Sequence, residues 1–381
     1  MPTSTAPGTR NGVLDAEAMV ADILELLRCE SPSGDHAAVA RSADAVDALG
    51  ARCFGERAER IVLDDVTHLR WRFGSRPRVL VLGHHDTVWP LGSLESHPAA
   101  VVDGRLTGPG CFDMKTGVVM AVHAIASLDS RDGVTLLVTG DEELGSPSSR
   151  KLIEAEAREC AAALVLEASG PGGALKTERK GASHYEVRIH GKAAHAGLEP
   201  QNGVNATLEM AHQALAVTGI GRPETGTTVT VTTASSGTTS NTVPAEGRFA
   251  VDVRAVTVAE QERVHREMTS LTAHFPGASL EVLGGISHPP LERDSSQDLF
   301  ERAQRLAEEL GLGPLDQVAV GGASDGNFTA GAGTPTLDGL GAVGGGAHAD
   351  DEHVLVQQIP ARTRLLSALL GELLAAPEGA R

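Results

Sequence analysis

Two histidines and a set of carboxylates, His84, Asp86, Asp113, Glu142, Glu143, Glu167 and His348, fall at the ends of apolar runs or in glycine-rich turns. Imidazoles and carboxylates, without a C-x-x-C pair, are the ligand chemistry of a co-catalytic divalent pair, typically zinc, rather than of a structural zinc site. His84-His85-Asp86 follows the apolar run Val79 to Leu82. On extended backbone the first and third side chains of H-x-D share a face, so His84 can ligate while Asp86 supports it from behind. Asp113 opens a helix on the turn Gly108-Pro109-Gly110, where it can cap the helix or offer its two oxygens to two cations. Asp141-Glu142-Glu143 places three carboxylates in succession after an apolar strand, a repulsion that cations or a raised pKa must relieve. Glu167 ends the run Ala163 to Leu166, and His348 lies in Gly344-Gly345-Gly346-Ala347-His348-Ala349-Asp350. Each alone reads as an ordinary strand end, cap or loop, and the combination is the signal.

These residues need a sheet to hold them. Val79 to Leu82, Thr135 to Thr139 and Ala163 to Leu166 are short continuous apolar runs, the kind a sheet covered on both faces requires. Helical spacing at Ala16 to Leu27, His36 to Leu49, Met114 to Ser127 and Ser148 to Arg158 completes an α/β pattern with a largely parallel core. From Ser183 the pattern becomes β-α-β-β-α-β, which predicts an inserted ferredoxin-like α+β domain. After Pro289-Pro290 the α/β texture resumes, with helices at Gln297 to Leu310 and Pro360 to Ala375. The expected division is therefore 1–182 with 291–381 for the metal-binding domain, and 183–290 for the insert.

Composition narrows the function classes. The 381 residues carry 32 basic and 50 acidic side chains, a formal charge of −18, which disfavours nucleic acid and anionic lipid as partners. Four scattered cysteines suggest reduced thiols in cytoplasm rather than a disulfide framework. Met1 to Gly12 has no apolar leader segment, and no stretch has the length of a membrane span, so a frayed start and a soluble protein are expected. Two glycine motifs imitate nucleotide loops and fail on context. No apolar helix follows Gly339-Leu340-Gly341-Ala342-Val343-Gly344, and Pro109 and Met114 occupy glycine positions ahead of Lys115-Thr116.

The ordered motifs H-x-D-T-V, G-P-G-x-x-D-M-K-x-G, D-E-E-x-G-S, L-x-L-E, G-K-A-x-H-A-G, G-G-x-S-D and G-G-G-A-H resemble those of the M20 metallopeptidases, most nearly the glutamate carboxypeptidases of the carboxypeptidase G type. The resemblance spans about residues 15–375. It implies two zinc ions per subunit: His84 and Glu167 on one, Glu143 and His348 on the other, and Asp113 between them. It further implies Glu142 as general base, Asp86 as the residue that orients His84, and the insert as a dimerisation and lid domain. There His195 reaches the active site of the partner subunit in a homodimer, and Asn241 helps bind the substrate carboxylate. His288 stands where the family commonly has an arginine, so Arg179, Lys180 or Arg293 become candidates for the carboxylate clamp; Ser324 is a further substrate-side candidate. The implied reaction is hydrolysis of an amide next to a free carboxylate, in a short peptide or N-acyl amino acid. The alternatives are deacylation of an N-acyl metabolite, or a silent binding protein on the same fold.

Overall fold

The computed structural model describes residues 9–10 and 13–376. Most of the segment expected to fray, Met1 to Gly12, lies outside them; Thr9–Arg10 pairs with Val13–Leu14. The chain divides into two compact units: Met1–Glu178, Arg293–Val320 and Ser324–Arg381 form one, and Arg179–Glu292 with Gly321–Ala323 the other.

The first unit is built on a six-stranded sheet in the order Thr336–Leu337, Ala162–Val165, Val79–His84, Val134–Thr139, Val66–Arg72, Glu59–Leu63. The first four strands run parallel, and every residue of Val79–His84, Val134–Thr139 and Ala162–Val165 is buried. Continuous apolar sequence suits strands with helices on both faces, whereas alternation would leave one face wet. The last two strands are antiparallel, so the sheet is mixed at one edge. That hairpin is hard to read in the sequence because Glu59, Arg70 and Arg72 interrupt its apolar pattern. The structure uses those charges: Arg70 and Arg72 both bond the buried Glu156 of the helix Arg150–Glu159.

A second, four-stranded sheet is made of two- and three-residue strands, Gly344–Gly345, His353–Leu355, Arg105–Thr107 and Ala100–Val102. Such short strands carry no readable period, yet this sheet brings the loop bearing His348 beside the turn that leads to Asp113.

The strand leading to Glu167 is held by two close backbone approaches. An added Cβ on Gly117, inside the helix Thr116–Ala126, or on Gly341 would sit 2.2 Å from the Leu166 carbonyl oxygen. Both glycines are therefore required by space. Gly341→Ala will destabilise the protein by about 1–3 kcal/mol through overpacking; thermal unfolding checks this, and an unchanged Tm would contradict it.

The second unit is an antiparallel sheet in the order Thr228–Ser236, Glu246–Ala255, Gly181–His190, Ser279–His288, with the helices Ala206–Thr218 and Val258–Thr269 following the first and third strands in sequence. This is the ferredoxin-like arrangement. Alternating burial along Gly181–His190 and Glu246–Ala255 points Tyr185, Val187, Ile189, Phe249, Val251 and Val253 into its core. Asn205 and Thr257 cap the two helices with side-chain oxygens that accept backbone N–H groups.

Glu260, in the first turn of the second helix, accepts from Arg263 at 2.8 Å, Thr227 at 3.0 Å and Arg222 at 3.2 Å. The bond from Arg263, aided by those from Thr227 and the charge of Arg222, lowers its pKa to about 2. Because the folded value lies below the unfolded one, its stabilisation is complete above about pH 4.5 and disappears as pH falls toward 2. Solvent screening limits the effect at this half-buried site, so Glu260→Gln costs about 1 kcal/mol at neutral pH. The Tm gap between variant and parent should close as pH falls from 5 toward 2; a gap that widened would refute the assignment. Among the described residues, no helix is long and apolar enough to cross a membrane.

Candidate metal centre

His84 is the last residue of its strand and is buried. Its Nε2 faces Asp113 Oδ1 at 3.3 Å, Glu167 Oε1 at 3.6 Å and Glu142 Oε2 at 4.0 Å. On the other side His348 Nε2 lies 3.2 Å from Glu143 Oε2 and 3.4 Å from Asp113 Oδ2. Asp113 thus presents one oxygen to each imidazole. His84, Asp113 and Glu167 form one group with ligand atoms within 4.8 Å of one another, and Asp113, Glu143 and His348 form a second. Glu142 stands beside them and belongs to neither.

The electrostatics describe a site built for positive charge. Burial opposes protonation of His84, yet Asp113, Asp86 and Glu167 outweigh it and raise its pKa well above the ordinary range. Bonds to Asp113 and Glu143 raise His348 to about 10. Burial works against ionisation of Asp113, and the two imidazoles overcome it and hold its carboxyl far below the usual carboxylate range. Burial raises Glu142 strongly, helped by Glu167, Asp325 and Glu143 and opposed by His84; burial also raises Glu143. Four converging carboxylates thus have two imidazolium groups as countercharge, and the buried Glu143 Oε1 has no hydrogen-bond partner. Divalent cations fit this donor set: they would replace the protons on both imidazoles and give the unpaired oxygen a partner.

Supporting residues fix these groups in place. Asp86 is fully buried, 3.4 Å from His84 Nδ1 by its carboxylate and 3.0 Å by its own backbone oxygen. Its carboxylate also accepts from Ser33 Oγ at 2.6 Å and from the Glu142 and Glu143 amides at 3.2 Å each. Asp86 therefore holds the acidic turn as well as the imidazole. Of the three successive carboxylates, Asp141 leaves the cluster: it accepts from the amide and hydroxyl of both Ser148 and Ser149. Hydrogen bonds, rather than a cation, relieve that member of the run. Asp325 is buried at the start of the helix Asp325–Gly331, accepts from Ser146 and Thr139, and is raised by burial to about 7. Lys115 is fully buried and donates to the Cys29 carbonyl at 2.7 Å.

Ser324 is 1% exposed, caps the helix Asp325–Gly331 and donates to Asp338 at 2.8 Å. Arg293 is exposed and lies 3.9 Å from the half-buried Glu178.

Within the second unit, the pairing of Ala194–His195 with Thr242–Val243 brings His195 beside Asn241, and the Ala196 amide donates to the Asn241 carbonyl at 2.9 Å. His195 is exposed. Its Nδ1 accepts from the amides of Gly197 and Leu198, both at 3.1 Å, which assigns the proton of the neutral ring to Nε2. Arg179 is buried and donates to the Gly322 carbonyl at 3.0 Å, while Lys180 donates to the Gly226 carbonyl. His288 is half-buried, with Nδ1 3.2 Å from Ser287 Oγ and its carbonyl accepting from Gln261.

Comparison with known proteins gives the family. The profile of peptidase family M20/M25/M40 matches residues 80–372. Carboxypeptidase G2 of Pseudomonas sp. strain RS-16 is 29% identical over 375 residues, covering 93% of this chain and 89% of its own. Succinyl-diaminopimelate desuccinylase of Thioalkalivibrio sulfidiphilus is 28% identical, covering 84% and 90%. Among solved structures, an M20 family metallo-carboxypeptidase from Sulfolobus solfataricus superposes with a TM-score of 0.72 at 15% identity, covering 93% of this chain and 99% of that one.

Proposed function

Because the chain belongs to peptidase family M20/M25/M40 and is thereby a hydrolytic enzyme, we propose that it cleaves an amide bond adjacent to a free carboxylate. The product is a C-terminal amino acid such as glutamate, released from a short peptide or an N-acyl amino acid. The observation that carries this reading is the pair of three-residue groups sharing Asp113, with Glu142 next to both and part of neither. His84 and Glu167 would hold one Zn2+ and Glu143 and His348 the other, with Asp113 common to both groups. Bound there, such cations would supply Lewis acidity for the scissile carbonyl and a nucleophilic water near neutral pH.

Glu142 takes the proton of the attacking water and passes it to the leaving nitrogen. Burial keeps its carboxyl basic enough for this despite nearby positive charge. Asp86 keeps His84 and the Glu142–Glu143 turn in register. In a homodimer, His195 of the partner subunit offers its Nε2 proton to the oxyanion, a role suited to an imidazole whose Nδ1 is already an acceptor. Asn241, with His288 at the position of the family's arginine, receives the substrate carboxylate. Arg179 and Lys180, whose side chains donate to backbone carbonyls, are the further candidates for that carboxylate. Four free cysteines suit a reducing cytoplasm.

A panel of zinc-loaded assays tests the proposal: peptides and N-acyl amino acids, each with the terminal carboxylate free or amidated. Amidation should lower kcat/KM by about 10²-fold or more, the loss expected when a buried polar site is left unpaired. Equal turnover of both forms would end the carboxylate-adjacent reading. Rates governed by the acyl group instead of the released residue would favour N-acyl-amino-acid deacylation, the direction suggested by similarity to a desuccinylase.

A further inference from the structure

Glu352 takes no part in the chemistry above, yet it is fully buried and its carboxylate accepts four hydrogen bonds. Oε1 accepts from the amides of Phe112 at 2.8 Å and Asp113 at 3.1 Å; Oε2 accepts from the Gly110 amide at 3.1 Å and the Trp89 indole at 2.6 Å. Three of these donors are consecutive or near-consecutive amides of the turn that presents Asp113. The fourth, Trp89, stacks on His97 with ring centroids 5.0 Å apart, and His97 Nε2 accepts the Gly108 amide of the same turn at 3.1 Å.

Glu352 itself belongs to the His348 loop, four residues on. That loop is a short excursion between the strands Gly344–Gly345 and His353–Leu355, tightened by the bonds from Ala349 N to Gly346 O and from Glu352 N to Ala349 O. His348 adopts a left-handed backbone, φ 62°, a conformation that persists only where its surroundings enforce it. A carboxylate removed from water is costly unless its lone pairs are filled, and here the Asp113 turn and Trp89 fill them. Three of the four bonds therefore join the two segments that supply Asp113 and His348.

We propose that Glu352 is a positioning residue of the metal centre: by tying the His348 loop to the Asp113 turn, it preforms the cation pocket of Asp113, Glu143 and His348. The inference rests on the reading of those three residues as ligands. Removing it leaves every ligand in the sequence and loosens the distance between two of them, which weakens one cation selectively.

The test is titration of the metal-free full-length protein with Zn2+ against a competing chelator, for the parent, Glu352→Gln and Trp89→Phe. Glu352→Gln keeps the volume and turns an NH2 toward amide donors. It should bind one zinc as the parent does and the second about 10–100-fold more weakly, the usual effect of losing a partner that orients ligands. Excess zinc should restore most of kcat at unchanged KM, a rescue that a merely structural defect would not show. Trp89→Phe removes a single donor and should shift the same step in the same direction by less. Parent-like affinity at both sites in Glu352→Gln overturns the proposal; if that variant does not fold, parent-like affinity in Trp89→Phe overturns it. A parent protein that binds only one zinc would instead overturn the two-cation reading, and this inference with it.

Discussion

Glu142→Gln lowers kcat by roughly 10²–10⁴-fold, the usual share of a positioned proton carrier, and leaves both cations bound. The separation of these two readouts follows from geometry. Glu142 Oε2 is 4.0 Å from His84 Nε2, farther than Asp113 or Glu167, and Glu142 is in neither three-residue group. The amide of Gln has nearly the same shape and can still hydrogen-bond a water, but it cannot accept its proton. Steady-state kinetics with metal analysis on the same sample decide the matter. Loss of a cation along with activity would make Glu142 a ligand, and parent-like turnover would remove it from the mechanism.

The sheet and two members of the candidate site were legible in the sequence for a shared physical reason. A strand buried on both faces must be continuously apolar, so Val79 to Leu82 and Ala163 to Leu166 stand out, and the polar residue that ends each run, His84 or Glu167, is marked by contrast. The alternation in Tyr185 to Ile189 marks the second unit by period. What the sequence concealed depends on contacts between distant segments. Glu352 sits after two aspartates and looks like part of an acidic loop; only the pairing of His353–Leu355 with Arg105–Thr107 turns it toward Gly110 and Asp113. Asp141 resembles its neighbours Glu142 and Glu143 in type, and the direction of its side chain, toward Ser148 and Ser149, separates it from them. Ser324 shows the same dependence on context: a serine before Asp-Gly-Asn reads in sequence equally as a substrate contact or an N-cap, and in the structure it is buried and caps the helix.

Asp113→Ala should be more damaging than removal of any other single ligand, because Asp113 is common to both groups. Glu167→Ala and Glu143→Ala each leave one group complete, so each variant should retain one cation. Asp113→Ala leaves two facing pairs, His84 with Glu167 and His348 with Glu143, each missing the oxygen between them. Zinc content should fall below one per chain and turnover should drop to background, beyond what excess zinc restores. Stability supplies an independent reading. Cation binding to the folded state alone adds about 4 kcal/mol when free metal is 1,000 times the dissociation constant, so zinc should raise the Tm of the metal-free parent by several degrees. That rise should be nearly absent in Asp113→Ala and intermediate in the two single-group variants. The metal-free Asp113→Ala protein should itself melt below the metal-free parent, because Asp113 is the carboxylate that pairs with both imidazoles, so the zinc-induced rise rather than the absolute Tm is compared. If Asp113→Ala instead kept one tightly bound zinc and a matching Tm shift, the two groups would not share a ligand, and the cations would act as separate sites.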